Sequence, residues 1–512
     1  MHRTFRSFSR PAGHRLRWLG LVALFFLAQA CASPPEKAEP DPTGIPVPEG
    51  NWLRGDLHLH TTHSDGEDPV DIVTALAEYL EDPVFLDAHP EYRGNGLDFI
   101  AITDHRTVAV GDDPDFRSDR LVLLLGEEFG GPGHAGRIGI KTHVPHDPHG
   151  TGASLDTYQA AVDAAHAEGG IFSMNHPFNQ KNPFPWDIRN HDAVEVWNAG
   201  WALISAPFTQ ENLDEWEATR GPISPTFRRA VAEPAGGASM QALVLYEAQL
   251  SRGIHVALVG GSDRHTGLPV GFPTTWVLAP SNDEAGVLGG IRSRHTFVSR
   301  TPASTQVLMT VQVAGRSYLQ GDAVPVPAAG LDVTLGLRVG RGEGGRLQLV
   351  CGVGVPTDEV LQNAPLGEVV FEEAVTGSEM QSFVVREVRP GDWCYPRVFD
   401  PLITPGLTAE EADSVREAAA GAAATGEGRY APLAKLVLKL VDPFALLFNG
   451  SLCDPETWHP DILHCMPPDN NGMATFFVPD RYDRALNVLT ENGLPTDWSM
   501  GAVASAVLFV SE

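Results

Sequence analysis

From residue 51 to about residue 300, short apolar runs alternate with stretches whose apolar residues recur at helical spacing. Residues 52–57 alternate apolar and polar. Residues 97–103, 121–125, 170–174, 193–197 and 254–259 are short apolar runs, the pattern of parallel strands buried on both faces. Between them, a helix is predicted from Pro69, a favoured first-turn residue, through Ile72, Leu76 and Leu80. A second starts at Ser154 as its N-cap and stops at Gly169-Gly170; a third spans about 239–252 and stops at Gly253. Repeated β-α units predict a parallel sheet or a barrel.

The pattern changes after residue 302. Residues 306–313, 332–339, 346–355, 368–371 and 382–388 show partial period-two alternation between Gly, Pro and Asp turns, as in an antiparallel β-sandwich. Residues 401–500 read as a partly helical insertion. In it, Thr408 and Glu411 form a capping box before an alanine-rich helix, and the apolar stretch 430–448 is interrupted by Lys435, Lys439, Asp442 and Pro443. Residues 501–510 are expected to return to the sandwich as a strand. The fold class expected is therefore α/β, with a barrel-like region over 51–302 and an all-β region over 303–512 that carries the insertion.

Composition adds a compartment. The formal charge is −29, and no basic patch follows residue 31, so nucleic acid is not an expected partner. Residues 1–30 hold five arginines, no acid and a short apolar core, which reads as a signal peptide. That core is too short to span a bilayer. Ala28-Gln29-Ala30 suits ordinary cleavage. Cys31 resembles the lipidated cysteine of bacterial lipoproteins, with 31–50 as its tether. The expectation is an exported cell-envelope lipoprotein, touching membrane only through a lipid on Cys31; the alternative is a secreted soluble protein. An acylated Cys31 leaves Cys351, Cys394, Cys453 and Cys465, an even set compatible with two disulfides.

Candidate chemistry gathers at strand ends. His58 and His60 lie on one face of the first strand, and Asp65 follows in a turn closed by Gly66. Asp104-His105, Glu127-Glu128, Asn175-His176 and Asp263/His265 fall at or just beyond the carboxyl ends of later strands, where α/β folds build their sites. The candidate ligands are His58, His60, Asp65, His105, Glu128, His134, His176, Asp263 and His265. These are nitrogen and oxygen donors without a thiolate, suited to Zn, Mn or Fe, and nine of them suggest two or three divalent ions. Such ions would generate a hydroxide nucleophile at neutral pH, with Asp263 taking or relaying its proton. Arg106 and Arg264 adjoin ligands; each reads either as an anchor for an anionic substrate group or as a salt-bridge partner.

The ordered motifs are His58-x-His60 with Ser64-Asp65-Gly66, Thr103-Asp104-His105, Gly126-x-Glu128, Gly133-His134, Asn175-His176-Pro177 and Gly261-Ser262-Asp263-Arg264-His265. Together they resemble the PHP (polymerase and histidinol phosphatase) superfamily, in particular its exported branch with carbaryl-hydrolase-like enzymes. The resemblance covers residues 51–300. It implies a distorted (β/α)7 barrel, a multinuclear metal site and hydrolysis, usually of phosphoesters. It further implies one ion on His58, His60, Glu128 and Asp263, a second on Glu128, His134 and His176, and a third on Asp65, His105 and His265. Gly136 stands where that branch often has Asn. Glu127 is the alternative bridging carboxylate, and His143 the alternative to His134.

Other histidines have ordinary readings. His89, His166, His191, His255, His459 and His464 read as surface or hydrogen-bonded residues. His63 reads as a pocket residue or a bystander. The cluster His143, His146 and His149 reads as solvated or as a border of the substrate site, and the stretch Glu195-Val196-Trp197-Asn198 reads as shaping the pocket. The expected function is a metal-dependent hydrolase acting on a small-molecule ester, with phosphoester first. The alternatives are carbamate, ester or amide hydrolysis at the same site, or an inactive surface-binding protein.

Overall fold

The structure, a computed structural model, describes residues 51–79, 96–145, 154–179, 182–199, 208–233, 235, 237–265, 270–378, 380–400 and 500–511. The expected leader and tether, and the insertion up to residue 499, lie outside the described residues, as do His89, His146, His149, His459 and His464. Seven strands come first: β1 (Asn51–Leu59), β2 (Phe99–Ile102), β3 (Val122–Phe129), β4 (His134–Ile138), β5 (Ile171–Asn175), β6 (Ala193–Asn198) and β7 (Ala257–Gly261). They lie side by side in chain order. The chain leaving β7 turns back onto β1, where Asp263 N donates to His58 O at 2.9 Å and His60 N donates to Arg264 O at 3.0 Å.

Strand periodicity sorts the apolar residues between two sides. Leu57, Phe99, Ala101, Leu124, Ile171 and Val259 join one buried cluster. The neighbours of Phe99 and Ala101, Ile100 and Ile102, join another, with Val70, Val73 and Ala77 of helix α1 (Val70–Tyr79). Period-two side chains facing two packed layers explain why these strands read as continuous apolar runs. Helix α2 (Leu155–Ala167) begins at the Ser154 cap, whose hydroxyl accepts from Thr157 N. Helices α3 (Gln210–Arg220) and α4 (Pro225–Ala232) were not expected; α5 (Ala238–Ser251) matches the predicted third helix. No helix among the described residues is long and apolar enough to cross a membrane.

The expectation of uniformly parallel β-α units needs correction. β1–β2, β2–β3, β5–β6 and β6–β7 are parallel, but β4 runs antiparallel to both β3 and β5. Residues 130–133 alone connect β3 to β4, and a parallel crossover needs about a dozen or more residues. Gly130 and Gly133 have φ of 119° and 83°, which favours glycine in so tight a reversal.

On the other side of β1 from β2, the sheet continues through β8 (Thr274–Ala279), antiparallel to β1, and β9 (Thr296–Ser299), antiparallel to β8. Helix α6 (Glu284–Arg292) links these two. Then follow β10 (Gln306–Val313), β11 (Arg316–Leu319), β12 (Ala323–Val326), β13 (Leu331–Gly340), β14 (Arg346–Gly352), helix α7 (Asp358–Asn363), β15 (Glu368–Ala374), β16 (Gln381–Val388), β17 (Trp393–Phe399), β18 (Met500–Ala504) and β19 (Val507–Ser511). The last apolar run is thus two strands, not one. β18 pairs with both β9 and β17, so a single 15-stranded sheet runs from β7 to β12 and is continuous across residue 302. A separate sheet, β11-β10-β13-β16, packs on it. Their shared core includes Val307, Met309 and Leu335 from one layer and Leu349, Val398 and Phe509 from the other. Cys351 and Cys394, in register on β14 and β17, form a disulfide; Cys453 and Cys465 lie outside the described residues.

Candidate metal centre

The strand ends converge. β1 delivers His58, with His60 directly after it, the chain after β2 delivers His105, and β3 delivers Glu128. Because β4 is reversed, its first residue, His134, sits opposite Asn175 at the end of β5. His176 follows β5, and Asp263 and His265 follow β7. A glycine-closed turn carries Asp65: Gly66 N donates to Thr61 O at 3.0 Å, and a Cβ on Gly66 would meet His60 backbone at 2.6 Å.

Glu128 is the hub. Its Oε1 lies 3.1 Å from His58 Nε2, 3.2 Å from His134 Nδ1 and 3.0 Å from His176 Nε2. Its Oε2 lies 3.1 Å from His105 Nδ1 and 3.6 Å from His60 Nε2. Asp263 Oδ1 lies 3.3 Å from both His58 Nε2 and His60 Nε2, and 3.5 Å from His265 Nδ1. On the far side, Asp65 Oδ1 is 3.3 Å from His265 Nε2 and its Oδ2 is 3.6 Å from His105 Nε2.

Four donor groups are close enough to hold an ion: His58/His60/Glu128/Asp263, His60/Asp65/His105/His265, His105/Glu128/His134 and His58/His176/Glu195. The first is the set implied for one ion. The second contains the set implied for the third ion and adds His60. The remaining set is drawn differently: His134 groups with His105, and His176 with His58 and Glu195, although both touch Glu128 Oε1.

The donor chemistry fits divalent ions. Both ring nitrogens of His60, His105 Nδ1 and Glu128 Oε2 are buried with no hydrogen bond, and each faces another candidate ligand atom across a gap of 3.1–3.8 Å. Leaving such atoms unmatched costs ~1–3 kcal/mol each. A shared cation would satisfy them together.

Electrostatics hold the two central carboxylates ionised. Burial opposes a charge on Glu128, yet His134, His58 and His105 hold its carboxyl well below the ordinary range. Burial likewise opposes a charge on Asp263, and His58, His60 and His265 hold it low. The imidazoles divide into two classes. Burial works against protonation of His58, but Asp263, Glu128 and Glu195 raise it well above the usual range. Burial is also outweighed at His265, which Asp65 holds up at about 9, and at His176, raised by Glu128. Burial drives His105 well below the usual value and lowers His60, where His265 adds to the effect. Neutral imidazole is the ligating form.

Backbone strain collects here too. Arg106, His176 and Asp263 have φ of 55°, 24° and 52°. Positive φ in residues other than glycine costs on the order of 1–3 kcal/mol and recurs at functional sites.

The geometry bears on several open readings. Glu127, one strand position from Glu128, faces away; Arg137 donates to it, and His143 Nδ1 lies 2.5 Å from its Oε2. Glu128 is therefore the converging carboxylate, and His134, not His143, reaches it. His63 leaves the cluster for Asp113, at 2.8 Å. His166 pairs with Asp192 at 2.8 Å, and His255 Nε2 lies 3.0 Å from Ala506 O. Arg264 is fully buried and ion-pairs with Asp68, so of its two readings the salt bridge is the one observed. Arg106 is exposed at the rim beside His105, with Nη1 3.5 Å from Gly130 O.

Three polar residues support the cluster without having been singled out as ligands. Asn175 Nδ2 donates to Glu128 Oε1 at 3.1 Å, and its Oδ1 accepts from Gly136 N at 3.1 Å. Asp104 accepts from Thr61 N, Thr61 Oγ1 and Ser64 Oγ at 2.7–2.8 Å, fixing the turn before Asp65. Glu195 lies 3.1 Å from His58 Nδ1. A glutamate inside the apolar strand Ala-Val-Glu-Val-Trp-Asn was the available signal, since a buried carboxylate needs partners.

No known family profile matches the chain, and no curated relative does. Among solved structures, one match is a two-domain protein from Bacteroides vulgatus described as "containing predicted PHP-like metal-dependent phosphoesterase". It is 15% identical over 70% of this chain and 94% of that chain, with a TM-score of 0.32, a likeness too loose to build on.

Proposed function

We propose that this protein is a metal-dependent hydrolase of the PHP type, acting on a phosphoester of a small molecule. The observation that carries the reading is Glu128, a buried carboxylate whose two oxygens face different histidines within 3.0–3.6 Å, as a bridging ligand must. In this reading β1–β7 form a distorted seven-stranded barrel, and the ordered motifs resemble those of the exported carbaryl-hydrolase-like branch.

His58, His60, Glu128 and Asp263 would hold one ion, and Asp65, His105 and His265 with His60 another. Glu128 with His134 and either His176 or His105 would hold a third; two or three divalent ions of Zn, Mn or Fe suit these donors. Bound there, such ions supply Lewis acidity for the attacked centre and lower the pKa of an attacking water. Asp263, kept acidic by its histidines, is a good ligand and a weak base; it hands a proton on rather than storing it. Arg106 at the rim binds an anionic oxygen of the substrate, and Arg264, buried and paired with Asp68, serves the fold. Residues 1–50 support an exported enzyme tethered through Cys31, and the charge of −29 supports a small-molecule rather than a nucleic-acid substrate.

Steady-state kinetics on a phosphodiester, a phosphomonoester and an aryl carbamate, each with added Zn, Mn or Fe, test the reading. The highest kcat/KM should fall on a phosphoester. Faster carbamate turnover would shift the assignment to the alternative reaction, and no metal-dependent turnover on any of them would count against a hydrolase.

A further inference from the structure

Resting on the metal-site reading above, we infer that Glu195 is a positioning residue that commits His58 Nδ1 and thereby offers His58 Nε2 to the metal. Glu195 lies on β6, the strand whose neighbours β5 and β7 lead into His176 and Asp263. It is buried, and three groups converge on it. Its Oε1 faces His58 Nδ1 at 3.1 Å. Its Oε2 accepts from His176 N at 2.8 Å and from Asn198 Nδ2 at 3.0 Å.

A carboxylate accepts from all three at once; an amide cannot, because one of its two ends is a donor. With Nδ1 bound to Glu195, His58 turns Nε2 to the space between Glu128 Oε1 at 3.1 Å and Asp263 Oδ1 at 3.3 Å. Glu195 also braces the strained backbone of His176, whose φ is 24°. Asn198 extends the arrangement, since its Nδ2 lies 3.3 Å from Asp263 Oδ2. Glu195 thus reaches candidate ligands from β1 and β5 directly and one from β7 through Asn198. Its approach depends on Gly261: a Cβ there would lie 2.4 Å from His58 Cβ and 2.8 Å from Glu195 Oε1. Carboxylate partners of this kind orient ligating imidazoles, and losing one weakens metal binding by about 10–100-fold.

The test is a double-mutant cycle on the full chain. Affinity for Co²⁺ is measured by chelator competition and its absorption spectrum, with unfolding of the metal-free protein as the control for folding. Glu195→Gln should lower affinity about 10–100-fold and change the Co²⁺ spectrum, while the metal-free protein unfolds at nearly the wild-type temperature. In a His58→Ala background, Glu195→Gln should cost little further affinity, because the residue acts mainly through His58. Unchanged affinity in the single variant overturns the inference. So does a full additive loss in the double variant, which would make Glu195 a ligand in its own right. If Glu195→Gln does not fold, Glu195→Asp, which draws the charge back by one methylene, goes through the same cycle with the same two criteria. Wild-type protein that binds no Co²⁺ would instead remove the metal-site reading itself, and this inference with it.

Discussion

Glu127 and Glu128 are neighbours of identical chemistry, and the pleat of β3 sends one to Arg137 and His143 and the other to five imidazoles. Glu128→Gln should therefore abolish metal binding and turnover while β10–β19 stay folded, which metal analysis and circular dichroism would register. Arginines 106 and 264 should separate in the same manner. Arg106→Ala removes a charge-assisted contact to an anionic substrate, and kcat/KM should fall about 10–100-fold with little change in stability. Arg264→Ala leaves Asp68 without its buried partner and should cost on the order of 3 kcal/mol in urea unfolding. At this level the sequence was largely readable for the converging ligands, because their strand-end positions and donor types stood out. Arg264 was not, since a cation beside a ligand looks the same whether it faces a substrate or an aspartate of the fold.

The strands and helices explain which parts were harder to read. Five predicted strands between residues 97 and 259 recur in place, since both their faces are buried and the apolar runs are nearly unbroken. β4 was missed because His-Ala-Gly-Arg-Ile carries no such run: its ladder to β3 and β5 and the buried Arg137–Glu127 pair hold it, and neither is local. Its reversal is what brings His134 to the ligand end. Gly261 at the end of β7 is equally exacting, and Gly261→Ala should cut metal affinity at least tenfold by displacing His58.

The elements around β7 also predict a pH response. Burial pushes His191 and His255 down to about 4, below the ordinary 6.5. Between pH 6.5 and 4 the unfolded chain binds more protons at these sites, so stability falls as pH is lowered through that window and levels off below it. Asp56, raised by burial to about 6 from 3.8, acts oppositely between those values, losing stability as pH rises. Two histidines outweigh one aspartate. In metal-free protein, the stability lost between pH 7 and pH 5 should shrink by about 2 kcal/mol in His191→Gln, at ~1.36 kcal/mol per unit. An unchanged loss would show that His191 is not buried as described.

Taken whole, the molecule is more continuous than its sequence suggests. The change of pattern after residue 302 is real, yet β18 returns from the far end of the chain to join β9, and one sheet runs through both regions. Such pairing, between residues some 200 positions apart in sequence, leaves no local trace. The Cys351–Cys394 disulfide ties that sheet across a separation of 43 residues. Reducing it should destabilise the protein by about 2–4 kcal/mol, measurable by unfolding with and without reductant. The central claim is that nine side chains from six strand ends exist to hold divalent ions around Glu128. The most direct test is the metal content of purified, dialysed full-length protein by inductively coupled plasma mass spectrometry. The account predicts two or three equivalents of Zn, Mn or Fe per chain, lost in Glu128→Gln. Less than one equivalent, with no uptake when these metals are added back, would contradict it.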